Sequence, residues 1–157
     1  MSDNLTLPYE LQAAVDKRKG LSEGLLRIID SAQKVDGHRI GYLFVDLPDR
    51  LTGRSNNPEQ TGFSYGLRIP VQGKFDLEHF LRDVGAQQII DRSHPQNPRY
   101  IADGILVQYS WPRTDVIELF VKASSPQKFE TTKNNLVMLA NRLYALLERT
   151  GHIKQFE

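Results

Sequence analysis

The sequence predicts an α+β fold: a mainly antiparallel sheet of four to five strands packed against helices, in the order α-β-β-α-β-β-α. Three observations carry that prediction. Tyr100 to Ala123 reads as two strands, Gly104–Trp111 and Val116–Ala123, rich in β-branched and aromatic residues and joined by Pro-Arg-Thr-Asp. Thr61–Val71 alternates Phe63, Tyr65, Leu67, Ile69 and Val71 against Ser64, Gly66 and Arg68, the period of a strand. Pro126 to Arg149 repeats apolar residues at helical spacing between the start signal Ser125-Pro126 and the stop Gly151.

Taken in order, residues 1–7 read as a loose tail and Pro8 as a first helical residue. Helical spacing continues through Leu11, Ala14 and Val15, breaks at Asp16–Gly20, and resumes through Leu21, Leu25, Ile28, Ile29 and Ala32 to Asp36-Gly37. One helix bent near Gly20 and two separate helices fit equally. Arg39–Leu47 is a strand with Ile40, Tyr42 and Phe44 on one side and Leu43, Val45 and Leu47 on the other, ended by Pro48. The segment 48–60, with two prolines, Gly53 and an Asn-Asn pair, is a long loop of the kind often given to function. In the next strand the alternation around Gly66 implies a face that is solvated or closely approached. Asp76 caps a short helix whose stripe is Leu77, Phe80, Leu81 and Val84, with Phe75 and Phe80 placed as a hydrophobic staple and Gly85 as the stop. Gln87–Asp91 suits a short strand or a last helical turn, and 91–99 is a second loop. On the closing helix Phe129, Leu136, Leu139, Ala140, Leu143, Leu146 and Leu147 share one arc, widened by Val137 and Tyr144.

A chain of 157 residues suits one domain, and its 39% apolar and 25% charged composition is that of a soluble globular protein. Twenty basic against nineteen acidic side chains leave a net charge of +1, which argues against affinity built mainly on neutralising a polyanion. The absence of cysteine removes disulfides, thiolate metal sites and cysteine nucleophiles. No signal-peptide pattern and no membrane-length apolar run is present, so the expectation is a cytoplasmic protein without membrane contact.

Residues with chemical capacity are present but lack diagnostic spacing. Asp46 and Asp49 flank Pro48, with Arg50, Arg54 and Arg68 following; carboxylates suit a metal or acid–base work and arginines a phosphate, but strand-ending Asp-Pro is the plainer account. None of His38, His79, His94 and His152 lies three to five residues from another, so no helical metal pair exists. Glu118 and Lys122 share a strand face, as in metal nucleases, yet without an upstream acidic partner they read as cross-strand partners. Neither a nucleophile elbow, a phosphate loop nor a dinucleotide fingerprint occurs, and the aromatic strands lack the RNA-recognition motif.

What stands out is the apolar character of both faces of strands 39–47 and 104–123. Pairing Trp111 with Val116 sets Tyr109 opposite Glu118 and Val107 opposite Phe120, and places Ile105, Val107, Tyr109, Trp111 and Phe120 on the face away from the closing helix, bare unless the N-terminal helices form a third layer over it. The expectation is a non-catalytic protein-interaction module (adaptor, inhibitor, small chaperone or immunity-type protein) that uses this face and forms a homodimer. The alternative is a phosphate or nucleic-acid binder, hydrolytic or not, using Arg50, Arg54 and Arg68 around the 48–60 loop. A third reading gathers Asp46 or Asp49 with His94 in a small-molecule enzyme. No cofactor or metal is implied.

Overall fold

The computed structural model describes residues 16–37, 40–46, 63–89, 99–110, 115–123 and 125–154. Helix α1, Glu23–Asp36, opens after a turn at 17–20, with the Ser22 hydroxyl accepting from the Leu25 amide and Gly37 closing it at φ 62°. It therefore has its own start beyond Gly20, where φ is 88°. Strands β1 (Tyr42–Asp46) and β2 (Phe63–Pro70) follow, then helix α2 (Leu77–Asp83), which the Asp76 carboxylate caps through the His79 amide. Strands β3 (Gln87–Ile89), β4 (Arg99–Ala102), β5 (Ile105–Tyr109) and β6 (Val116–Ala123) lead into helix α3, Pro126–Arg149.

All six strands belong to one antiparallel sheet in the order β1-β2-β6-β5-β4-β3. The α+β class and antiparallel sheet match the sequence reading; the strand count is higher because of β3 and β4. Gln87–Ile89 is a strand and not a helical turn, since it pairs with β4. The segment before Gly104 is a strand of its own, folded onto β5 through Asp103 and Gly104 at φ 51° and 80°. Two successive positive φ values describe the tight hairpin turn that Asp-Gly favours.

A second correction concerns register. Tyr109 lies opposite Ile117 and Val107 opposite Leu119, one residue away from the pairing expected across the 111–114 connection. Because side chains alternate, a one-residue slip exchanges the faces of one strand relative to the other. Ile105, Val107, Ile117, Leu119 and Val121 consequently share the face that carries the core.

That core lies between the sheet and the three helices of the described residues. Leu25 and Ile29 of α1, Leu77, Phe80 and Leu81 of α2, and Phe129, Leu136, Ala140, Leu143 and Leu147 of α3 meet Phe63, Tyr65, Leu67 and Ile69 of β2 and their cross-strand neighbours. Burying an apolar side chain of this size stabilises by about 1.5–3 kcal/mol each before entropy is deducted. Asn141 ties α1 to α3 by accepting from the Ser22 amide (3.0 Å) and donating to the Gly20 carbonyl (2.9 Å). The segment after α3 is held just beyond the end of β2, where His152 Nδ1 meets the Gln72 carbonyl at 2.8 Å and Val71 bridges to Ile153. Phe75 packs on the core and its ring meets the edge of His152, 5.4 Å between centroids.

Candidate interaction surface on the second face of the sheet

The strand positions that alternate with the core residues make up the second face. Phe44, Gly66, Phe120, Leu106, Ile101 and Gln87 stand opposite one another in turn, a single row across all six strands. Tyr42, Arg68, Glu118 and Gln108 form the next row, and Asp46, Ser64 and Lys122 flank the first on the other side. Phe44, Leu106, Ile101 and Phe120 lie outside the helix-covered core cluster, and Ile101 is 43% exposed.

The aromatic part is built around a glycine. A β-carbon at Gly66 would overlap the Phe44 ring, so the absence of a side chain lets that ring lie across β2 and stack on Phe120 at 5.9 Å and 27°. Tyr42 stacks on the other side of Phe44 at 5.3 Å and 18°. The close approach expected at Gly66 is thus made from within the chain.

The polar row is tightly connected. Arg68 Nε donates to Glu118 Oε2 at 2.6 Å, and Gln108 Nε2 donates to Glu118 Oε1 at 2.9 Å. The Arg68 guanidinium also lies 4.7 Å over the Tyr42 ring, a cation–π contact. Burial raises the Tyr42 phenol above its ordinary range, opposed by the charge of Arg68. Both members of the ion pair are half-buried, at 27% and 18% exposure, so charge and geometry reinforce each other more than in a solvated pair.

The structure divides the residues singled out from sequence. Phe120 is on this second face. Ile105 and Val107 are in the core at 1% and 0% exposure, and Tyr109 is on the helix side, its hydroxyl donating to the Phe75 carbonyl at 3.1 Å. Trp111 lies outside the described residues. Tyr42, Phe44, Leu106 and Ile101 replace the misplaced members; the signal that finds them is the parity of Tyr42 and Phe44 together with the Asp-Gly turn that defines β4. Of the anion-binding set, Arg68 is engaged by Glu118, while Arg50 and Arg54, like Asp49 and His94, lie outside the described residues. Glu118 and Lys122 do share a face, and Glu118 serves as a cross-strand partner. Among the described residues no group of three His, Cys, Asp or Glu side chains is placed to hold a metal, and no helix is long and apolar enough to cross a membrane.

The chain matches no protein-family model, no curated protein and no solved structure.

Proposed function

We propose that this protein is a non-catalytic interaction module that associates with a second copy of itself through the second face of its sheet. The observation that carries the reading is the row Phe44–Phe120–Leu106–Ile101, apolar across five strands and separate from the core beneath the helices. A central apolar patch with polar neighbours is the anatomy of a protein interface. Both signs are present beside the patch, in the Arg68–Glu118 pair and in Asp46 and Lys122. An isologous dimer needs only one such patch. Phosphate or nucleic-acid binding gains nothing from Arg68, whose guanidinium is already committed to Glu118.

Sedimentation velocity across a concentration series tests the reading. The expected outcome is a monomer–dimer equilibrium that Ile101→Ser and Leu106→Ser shift to monomer while circular dichroism stays native. A wild-type protein that remains strictly monomeric, or variants that dimerise unchanged, overturns it.

A further inference from the structure

We propose that the cleft between α1 and the C-terminal end of α3 is a binding site for a small organic carboxylate with an apolar body. The cleft measures about 560 Å³, within the roughly 300–1,000 Å³ of small-ligand sites. One wall is a second stripe of α1, Gly24, Arg27, Ile28 and Ser31, at the i, i+3, i+4, i+7 spacing of one helix face. Tyr144 and Ile153 form the opposite wall. With no side chain at Gly24, the hydroxyl end of Tyr144 rests against α1 there.

The polar groups select the ligand. Among the described residues the Arg27 guanidinium and the Ser31 hydroxyl have no hydrogen-bond partner. A guanidinium fork matches a carboxylate bidentately, and Ser31, one turn on, adds a donor. Half-buried Ile28, Tyr144 and Ile153 offer apolar surface beside them. Glu148, which accepts from the Tyr144 hydroxyl at 2.7 Å, places one carboxylate in the lining. A phosphate dianion meets more repulsion from Glu148 than a monoanion does, and an uncharged ligand forgoes the charge of Arg27.

Titration of labelled protein with hexanoate, hexanamide and inorganic phosphate, followed by amide chemical shifts, tests the site. Hexanoate is expected to give saturable shifts concentrated at residues 24–31, with hexanamide and phosphate weaker. Arg27→Gln, an exposed position, is expected to weaken hexanoate by about tenfold. Arg82→Gln, a control on α2, is expected to leave binding unchanged. Absence of saturable shifts, shifts centred elsewhere, equal or tighter binding of hexanamide or phosphate, or an Arg27→Gln variant that binds like wild type each overturns the proposal.

Discussion

The Phe44 ring spans Gly66 and stacks on Phe120, centroid to centroid at 5.9 Å, so three adjacent strands share one aromatic contact. A methyl at position 66 has nowhere to go, since the Leu119 carbonyl also lies within 3.2 Å of it. Gly66→Ala is expected to destabilise by about 1–3 kcal/mol, the cost of overpacking. Denaturant unfolding checks this, and Phe44→Ala combined with Gly66→Ala should cost less than the two changes added together. Simple additivity would mean that the ring does not rest on the glycine.

The Arg68–Glu118 pair should behave as a coupled unit. Glu118→Gln strips a half-buried guanidinium of its carboxylate and leaves Gln108 with a weaker acceptor. A double-mutant cycle with Arg68→Met and Glu118→Gln is expected to give a coupling of about 1–2 kcal/mol, between exposed and fully buried pairs. High salt should reduce it little, because solvent reaches the pair only partly.

Lys133 supplies a pH signature. It is only 3% exposed, on the stripe of α3 that faces the sheet, with Nζ 4.9 Å from the Tyr65 ring centre. Burial lowers its ammonium below the ordinary 10.5, with Asp16 and Glu130 opposing that shift and Lys19 adding to it. Between the lowered folded value and 10.5 the unfolded chain holds more protons, so stability rises with pH across that window. Burial raises the Tyr65 phenol from 10.0, which has the opposite sign: above pH 10 the unfolded chain loses a proton that the folded one keeps. Lys133→Met should add about 1 kcal/mol at neutral pH and abolish the rise below pH 10. The fall above pH 10 should persist. Unfolding free energy measured from pH 7 to 11 reads all three outcomes.

The Asp103-Gly104 turn provides a local test. Gly104 sits at φ 80°, a conformation costly for any residue with a β-carbon, although Thr132 at 3.7 Å leaves room for one. Gly104→Ala is expected to lose about 1 kcal/mol from backbone strain alone. Asp103→Asn, whose side chain tolerates φ 51°, should be close to neutral. Thermal unfolding of the two variants separates these outcomes.

Much of the fold was legible because its signals are local. Ser22, Asp76 and Ser125 cap the helices as side-chain chemistry dictates, and Gly37, Gly85 and Gly151 take positive φ at or just beyond their ends. The stripe of α3 and the alternation of β2 announce which face is buried. Less of the candidate surface could be read. Phe120 and Arg68 are recognisable as strand residues, but Ile105 and Val107 fall on the core side because β5 and β6 pair one residue away from the register their connection suggests.

By itself, the sequence determined the class of the fold, most of its elements, and the fact that more strand residues are apolar than one covered face requires. Those properties follow from propensity, periodicity and capping, which act over a few residues. Tertiary structure alone decided the strand order, the β5–β6 register, and the gathering of Phe44, Phe120, Leu106 and Ile101 into one row. Strands apolar on both sides leave the alternation pattern degenerate, so the sequence pattern by itself does not choose the register. The side of the sheet where Phe44 lies across Gly66 falls outside the helix-covered core.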